Sequence, residues 1–420
     1  MTRVSEAPQA LPERRCVVLI LDGLGDLPVE SLGGKTPLEA AMTPRLDRLA
    51  AAGHYGLVDP VAPGVVPNTH TGVGLVFGLR PEQRALLKRG PVEAAGAGVQ
   101  LQAGDIAFRA NFATLEERAD GLYVTDRRAG RVTQDSALFA EVLRELDLGD
   151  GVTARFHPTD QHRGALVFSG PGLEGSLANT DPGDGPMPAR IEPCRAKESG
   201  SLFAASKVDR FVREAHERLR DHPQNAVRLA EGKLPVTGVI TRGAGAWFEL
   251  DSVLDEKNIG AALVVGCNTV AGLARIFGMS TVRSAAFTAG VDTDVNAKME
   301  AAREALRHHS LVYVHIKAPD LFSHDFKPSG KKAFIERVDR SMDILEGSGA
   351  AIALTADHST SSNSGAHTAD PVPALFHVPG QASPRGGVPV DFGESACRDG
   401  SMPRQSGHEF LLKIIAYLGA

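Results

Sequence analysis

Three runs of consecutive apolar residues in this chain end in polar residues that can bind a metal ion. Uninterrupted apolar runs of this length are typical of strands buried on both faces of a parallel sheet. The runs, with the residues that follow them, are 17–21 with Asp22, 311–316 (apolar except for His315) with Asp320 and His324, and 350–354 with Asp357 and His358.

Strand-like and helix-like patterns alternate in the second half of the chain. The apolar run at 261–265 is followed by helical patterns at 295–308 and 331–345, as repeated strand–helix units of a parallel sheet require. Near the start, Thr36, Pro37 and Glu39 form a helix-start signal, with a capping residue, a proline in the first turn and an acid to close a capping box. The pattern predicts an α/β core whose mainly parallel sheet is covered by helices on both faces.

A segment with a different sequence pattern separates the two parts of this core. Between residues 80 and 239 the strand-like runs are shorter, glycine and proline are frequent, and arginines cluster. We therefore predict a smaller inserted α+β domain at 80–239, which binds the substrate. The metal-binding core is expected at 16–79 and 240–420, and residues 1–15 are expected to form a disordered lead.

The polar residues that follow the apolar runs are expected to converge. Ligands of open parallel sheets bind beyond the carboxyl ends of the strands, where the ends of neighbouring strands meet. Carboxylate and imidazole groups are metal ligands, and six are too many for one tetrahedral ion but suit two ions. The six candidates are Asp22, Asp320, His324, Asp357, His358 and His367.

The loop at 62–78 is rich in turn-forming residues and passes into an apolar, helical pattern. This pattern places Thr69 at the N-terminus of a helix. Free backbone N–H groups and the positive end of the helix dipole make that position suitable for a phosphate or a developing alkoxide.

Composition and charge exclude several classes of partner. The net charge of -6 and the pI near 6.2 give no overall attraction to nucleic acid or to an anionic membrane. No stretch approaches the ~18 apolar residues of a membrane span. The four cysteines lie far apart without a Cys-x-x-Cys spacing, which favours a reducing, cytoplasmic location.

Several motifs, in the same order along nearly the whole chain, resemble the archaeal-type 2,3-bisphosphoglycerate-independent phosphoglycerate mutases of the alkaline phosphatase superfamily. They are Leu21-Asp-Gly-Leu-Gly-Asp26, Gly34-Lys-Thr-Pro-Leu-Glu-Ala40, Arg89-Gly-Pro-Val-Glu-Ala94, Asp105-Ile-Ala-Phe-Arg109, Asp126-Arg-Arg-Ala-Gly-Arg131, His315-Ile-Lys-Ala-Pro-Asp320, Ala356-Asp-His358 and Ala366-His-Thr-Ala-Asp-Pro-Val-Pro373.

The resemblance implies an alkaline phosphatase-like core and a glycolytic isomerase that interconverts 2- and 3-phosphoglycerate through a phosphorylated enzyme. It also implies two divalent ions, usually manganese, zinc or magnesium. One ion would be bound by the nucleophile with Asp22, Asp357 and His358, and the other by Asp320, His324 and His367.

The nucleophile loop departs from the family pattern. The family usually has a serine in Pro-Gly-Ser-Asp-Thr-Ala-His-Leu-Ser, whereas this chain has Pro67-Asn-Thr-His-Thr-Gly-Val-Gly-Leu75. Alignment on the flanking residues places Thr69 at the nucleophile position, with His70 and Thr71 as neighbouring alternatives. A threonine hydroxyl can replace serine in this chemistry, so we expect a phosphothreonine intermediate.

Arginines of the inserted domain are the candidates for holding a small phosphorylated carboxylic acid, because a guanidinium grips carboxylate or phosphate through two parallel hydrogen bonds. Asp126 is expected to orient them or to accept a substrate hydroxyl. The candidate arginines are Arg109, Arg127, Arg128, Arg131, Arg163 and Arg242.

Two alternatives stay open because the nucleophile loop is altered. One is a phosphotransferase or phosphatase that acts on a different phosphate or phosphonate, and the other is a catalytically silent binding protein that keeps the fold.

Overall fold

A computed structural model describes residues 14–133, 135–183 and 185–419. The described residues fold into two compact units, the first formed by those of 14–84 with 250–419 and the second by those of 85–249. Most of the lead expected at 1–15 lies outside the described residues.

The strands are numbered in chain order. They are β1 Cys16–Leu21, β2 His54–Asp59, β3 Ile106–Arg118, β4 Gly121–Asp126, β5 Leu146–Asp147, β6 Thr153–Pro158, β7 Arg163–Ser169, β8 Ala189–Arg190, β9 Gly238–Ala246, β10 Ala261–Val264, β11 Ser280–Val282, β12 Leu311–Ile316, β13 Ala351–Thr355, β14 Ser359–Thr360, β15 His367–Thr368, β16 Val372–His377 and β17 Gln405–Ser406.

The helices follow the same convention. They are α1 Pro37–Ala40, α2 Pro44–Ala52, α3 Thr69–Val76, α4 Arg89–Gly96, α5 Ser136–Glu141, α6 Leu202–Arg220, α7 Pro223–Ala230, α8 Val253–Glu256, α9 Asn268–Ile276, α10 Val295–Ala305, α11 Ala318–His324, α12 Pro328–Arg340, α13 Met342–Glu346, α14 Glu394–Arg398 and α15 Gly407–Leu418.

The first unit is built around an eight-stranded sheet in the order β11-β10-β12-β1-β13-β16-β2-β17. Strand β1 lies parallel to both of its neighbours, so that Leu21 is opposite Ile316 of β12 and Ile20 is opposite Thr355 of β13. Only β16 runs antiparallel to its neighbours in this order. Every residue of β1, β12 and β13 is buried, as expected where both faces of a parallel sheet are covered. The predicted α/β class is confirmed.

The predicted capping box at the start of α1 is present. Thr36 accepts a hydrogen bond from the Glu39 N–H, and the Glu39 carboxylate accepts one from the Thr36 N–H. The Thr36 hydroxyl also donates to Oε2 of Glu394 at 2.6 Å, and the Asp26 N–H donates to Oε1 of Glu394 at 3.2 Å. The helix start is therefore joined to the loop that follows β1 through one carboxyl group.

The second unit contains an antiparallel sheet with β3 at its centre. Strand β3 pairs with β7, β9 and β4, and its Phe108 and Phe112 pack with Phe156 and Phe168 of the sheet. Phe211 of α6 lies against Phe168, so the helix closes this core.

Both boundaries between the units lie later than the sequence pattern indicated, and 80–84, which were predicted to lie in the insert, belong to the first unit. Strand β9 pairs along β3, so 240–249 belong to the second unit, although the sequence pattern assigned them to the core. An apolar strand pattern does not reveal which sheet the strand will join, because the pairing with β3 spans more than a hundred residues.

Among the described residues, no helix has both the length and the apolar character needed to cross a bilayer.

The buried Glu394 makes stability depend on pH. Burial raises its pKa from 4.5 to about 7, so the folded protein binds this proton more tightly than the unfolded chain does. Its stabilisation is complete below pH 4.5 and is lost as the pH rises through 7. We expect the stability of Glu394→Gln relative to wild type to increase by on the order of 3 kcal/mol between about pH 4 and pH 8. Urea unfolding at both pH values measures this change, and a constant difference would contradict it.

Candidate active site

The three apolar strands that carry the predicted ligands are adjacent in the sheet. Because β12, β1 and β13 are parallel neighbours, their carboxyl ends lie at one edge. Asp22 follows β1 and Asp357 follows β13, while Asp320 lies in α11 directly after β12. All three carboxylates are almost completely buried.

Asp22, Asp357 and His358 form the first cluster. Nε2 of His358 lies 3.3 Å from Oδ1 of Asp22 and 3.2 Å from Oδ2 of Asp357. One ligand atom from each residue lies within 4.8 Å of the others, so these groups could hold one ion.

Asp320, His324 and His367 form the second cluster. Nε2 of His324 lies 3.2 Å from Oδ1 of Asp320, and Nε2 of His367 lies 3.6 Å from the same oxygen. The imidazole of His367 stacks on that of His358, with the ring centres 3.6 Å apart. Asp320, His358 and His367 also form a group that could hold an ion, so the two clusters adjoin at His358.

The three imidazoles of these clusters share one tautomer and one orientation, with the proton on Nδ1 and with Nε2 facing the carboxylates. Nδ1 of His324 lies 2.7 Å from the Gly365 carbonyl oxygen, and Nδ1 of His367 lies 3.1 Å from that of Pro67. A carbonyl oxygen only accepts, so both Nδ1 atoms carry a proton and donate. Nδ1 of His358 lies 2.9 Å from the Thr360 hydroxyl, which donates its own proton to Oδ1 of Asp320 at 2.8 Å, so this Nδ1 donates as well.

This orientation fits a metal centre. With Nδ1 protonated, each neutral imidazole directs the Nε2 lone pair at carboxylate oxygens, an arrangement that a cation between them would stabilise. Within the described structure, Nε2 of His358 and Oδ2 of Asp357 are buried without a hydrogen-bond partner. The donor set of carboxylates and imidazoles is one that manganese, zinc and magnesium sites use.

The pKa directions reflect the same concentration of charge. Burial raises the pKa of Asp357, and the adjacent Asp22 carboxylate raises it further. Burial alone would lower the pKa of His358, but the Asp357 and Asp22 carboxylates hold it above its ordinary value. Burial would also raise the pKa of Asp22, yet the Lys317 ammonium and the hydrogen bond with His315 keep it well below its usual range.

Three site residues were not singled out from the sequence. Lys317 places Nζ 2.7 Å from Asp22 and 2.6 Å from Asp320, which links the two clusters. Nε2 of His315 lies 3.0 Å from Oδ2 of Asp22, and Thr360 joins Asp320 to His358 as described. Lys317 and His315 could have been found from their place at the end of the strand that leads to Asp320.

The loop with the predicted nucleophile lies against these clusters. Pro67 accepts the hydrogen bond from His367, and Gly72 of α3 lies so close to Asp357 that a Cβ would be 2.0 Å from the Asp357 carbonyl oxygen. Thr69, at the first position of α3, lies between these two contacts in the chain and is partly exposed.

The hydrogen bonds that cap α3 distinguish Thr69 from Thr71, one of the two alternative nucleophiles. Asn68, not Thr69, is the N-cap residue, and its side chain accepts from the Thr71 N–H at 3.0 Å. The Thr71 hydroxyl lies 3.1 Å from both the carbonyl and the side-chain oxygen of Asn68. The Thr71 hydroxyl is therefore engaged in the cap.

Arg109 and Arg127 of the predicted substrate-binding set, both in the second unit, already hold acidic partners. Arg109 is buried and lies 3.2 Å from Glu93. Arg127 binds both oxygens of Asp181, at 2.6 and 2.9 Å.

Three further arginines lie near Arg109 and Arg127. They are Arg242, Arg163 and Arg89. Arg242 lies opposite Arg109 in the β3–β9 pairing and 3.9 Å from Asp181. Burial lowers the pKa of Arg242, and the nearby charges of Arg89, Arg127 and Arg163 lower it further. Arg89, which was not among the arginines predicted to bind the substrate, belongs to this arginine cluster.

Asp126, Arg127, Arg128, Gly130 and Arg131 line a cavity of about 380 Å³ in the same unit. Oδ1 of Asp126 accepts the N–H of Arg128 at 2.8 Å and that of Gly130 at 3.0 Å. Asp126 thus fixes the backbone of the turn that carries the arginines.

The fold and this site define an α/β protein with potential metal-binding groups at the carboxyl edge of a mainly parallel sheet. A family model described as 2,3-bisphosphoglycerate-independent phosphoglycerate mutase matches residues 50–225. A curated protein of that name from Methanopyrus kandleri is 39% identical over 407 residues, which are 95% of each chain. One from Ignicoccus hospitalis is 37% identical over 97% of this chain and 98% of its own.

Two solved structures are similar to this chain over nearly its whole length. The cofactor-independent phosphoglycerate mutase from Thermoplasma acidophilum superposes with a TM-score of 0.69 at 30% identity, over 97% of this chain and all of that chain. A protein from Pyrococcus horikoshii superposes with a TM-score of 0.80 at 29% identity, over 98% of both chains. The chain belongs to the 2,3-bisphosphoglycerate-independent phosphoglycerate mutase family, which confirms the resemblance seen in its motifs.

The close approach of α3 to Asp357 predicts the effect of one added methyl group. Gly72→Ala would place Cβ 2.0 Å from the Asp357 carbonyl oxygen, which forces the helix or the segment that carries Asp357 to move. We expect at least a tenfold loss of divalent-ion affinity, measured by calorimetric titration. Gly260→Ala is the control for a glycine substitution, because a Cβ at exposed Gly260 meets no atom within 4 Å and the backbone there is not left-handed. Equal metal affinity in both variants would contradict the assigned contact.

Proposed function

We propose that this protein interconverts 2-phosphoglycerate and 3-phosphoglycerate in the cytoplasm, by phosphoryl transfer through Thr69 with two divalent metal ions. The proposal rests on one observation above all: three imidazoles direct Nε2 at three buried carboxylates beside the Thr69 loop. Family membership over nearly the whole chain supports the choice of substrate.

The residues that would hold the ions are those of the two clusters, Asp22, Asp357 and His358 with Thr69, and Asp320, His324 and His367. Manganese, zinc or magnesium ions bound there would lower the pKa of the Thr69 hydroxyl and neutralise charge on the phosphoryl oxygens.

Thr69 is the group that accepts the phosphoryl. Its oxygen loses its proton and attacks phosphorus, while the bond from phosphorus to the glycerate oxygen breaks and that oxygen takes up a proton. Phosphothreonine and glycerate result. The other glycerate hydroxyl then attacks the phosphothreonine, which releases the isomer and restores the Thr69 hydroxyl. No water is consumed, so the protein must hold glycerate between the two steps.

Lys317 and the arginines provide the cationic groups for these steps. The Lys317 ammonium lies between Asp22 and Asp320 and can attract a phosphoryl oxygen when metal ions neutralise those carboxylates. The arginines of the second unit have the geometry to bind a carboxylate. We assign this role to Arg128, Arg131, Arg163 and Arg242, with Arg109 and Arg127 holding the cluster together through Glu93 and Asp181.

An assay with 3-phosphoglycerate and manganese tests the reaction. We expect 2-phosphoglycerate to form without stoichiometric free phosphate, because the phosphoryl group passes from the substrate to Thr69 and back. Phosphate as the main product would instead indicate a hydrolase, and no product would indicate a different phosphate or phosphonate substrate.

Removal of the Thr69 hydroxyl should separate chemistry from metal binding. We expect Thr69→Ala to lower kcat by more than about 10³-fold, since the phosphoryl acceptor is lost, with folding and metal content largely retained. The matched control is Thr71→Ala, which removes a hydroxyl engaged in the helix cap and should retain most of the activity. Full activity in Thr69→Ala would show that another residue is the nucleophile.

Removal of a proposed carboxylate ligand should affect metal binding as well as turnover, unlike removal of the Thr69 hydroxyl. We expect Asp357→Ala to lose both turnover and metal, because Asp357 lies in the first cluster and has a buried oxygen without a hydrogen-bond partner. Metal content after gel filtration, measured by mass spectrometry, distinguishes this variant from Thr69→Ala. A full complement of metal in Asp357→Ala would remove Asp357 from the ligand set.

A further inference from the structure

A second buried group of charges lies behind the metal-ligating residues. Nζ of Lys331, on α12, lies 2.8 Å from Oδ2 of Asp26, in the loop after β1, and both side chains are 0% exposed. The loss of hydration that such a pair suffers can exceed the attraction between its charges, and apolar residues of similar volume often stabilise a fold equally well. The contacts of the pair indicate what it contributes instead.

Lys331 binds two backbone segments. Besides Asp26, Nζ donates to the carbonyl oxygens of Gly25 and Thr360, both at 3.2 Å. The Gly25 oxygen also accepts the Thr360 N–H at 2.9 Å. One ammonium group therefore joins the loop that carries Asp22 to the segment that carries Asp357 and His358.

Asp26 binds the segment that carries Asp357 and His358 a few residues further along the chain. Its Oδ1 accepts the Ser362 N–H at 2.8 Å, and its Oδ2 accepts the Ser362 hydroxyl at 2.6 Å. The Ser362 hydroxyl lies 3.3 Å from that of Ser323, the residue before His324. The contact thus extends to α11, the third segment that carries ligands.

Thr360 leads directly from this pair to the ligands. Its carbonyl is held by Lys331, while its hydroxyl donates to Asp320 and accepts from Nδ1 of His358. A shift of Thr360 would disturb one ligand from each cluster at once.

We propose that Lys331 and Asp26 are positioning residues that hold the three ligand-bearing segments in register, so that both clusters are preorganised for divalent ions. This inference rests on the metal centre of the proposed function but not on the identity of the substrate. An apolar pair could fill the same space, yet it could not bind Gly25, Thr360 and Ser362.

Calorimetric titration of the full chain with Mn²⁺ tests the proposal. We expect Lys331→Met, which keeps most of the side-chain volume, to weaken Mn²⁺ binding by about 10- to 100-fold, as loss of a group that orients ligands does. The control is Ile335→Ala, one turn along α12. Ile335 is fully buried and apolar, so its loss should lower the thermal midpoint and change Mn²⁺ affinity by less than about threefold.

A double variant separates positioning from stability. Asp26→Leu with Lys331→Met replaces the charges by an apolar pair. Because no unpaired charge then stays buried, we expect it to recover part of the thermal stability lost in the single variant, while Mn²⁺ affinity stays low. Asp26→Asn, which keeps the shape and one acceptor oxygen, takes the place of Lys331→Met if that variant does not fold, and it should also bind Mn²⁺ more weakly.

The outcomes also distinguish this proposal from the proposed reaction. Wild-type Mn²⁺ affinity in the folded double variant, or an equal loss in Ile335→Ala, would overturn the positioning role even in an active mutase. Wild-type protein that binds neither Mn²⁺ nor Zn²⁺ would overturn it as well. Protein that binds Mn²⁺ but does not isomerise phosphoglycerate would overturn the reaction and leave the positioning pair in place.

Discussion

Three buried carboxylates, those of Asp22, Asp320 and Asp357, meet at one edge of a parallel sheet, and most of the local structure serves to stabilise that charge. Without counter-charges such a cluster would shift toward the protonated forms. Lys317 lies between two of the carboxylates, and three imidazoles direct Nε2 toward them. Lys317 supplies positive charge at this edge, and a cation held between the carboxylates and the imidazole Nε2 atoms would supply more.

The surrounding backbone fixes the orientation of these basic groups. Carbonyl oxygens of Gly365 and Pro67 hold the Nδ1 atoms of His324 and His367. Gly23 allows the backbone after β1 to pass close to Asp320, since it has φ +65° and a Cβ there would lie 2.8 Å from the Asp320 Cβ. Preorganised donors lose little freedom when an ion or phosphate binds, so the rigidity of this edge is part of its chemistry.

The arginines of the second unit need negative charge beside them, as the carboxylates of the first unit need positive charge. Like charges repel when they are brought together, and Asp181 and Glu93 offset that repulsion by binding Arg127 and Arg109. Burial lowers the pKa of Arg242, and the remaining positive charges around it lower it further. A group of this kind is suited to a small anion such as a carboxylate.

The sequence by itself determined the α/β class, the capping box at Thr36, the six candidate ligands and the family, because these follow from local patterns and motif order. Only the tertiary structure placed 240–249 in the second unit and revealed Lys317 between Asp22 and Asp320. It also revealed the pair formed by Lys331 and Asp26. Pairings between residues hundreds of positions apart leave no local periodicity, since they depend on which strands become neighbours and on which buried groups then need a partner.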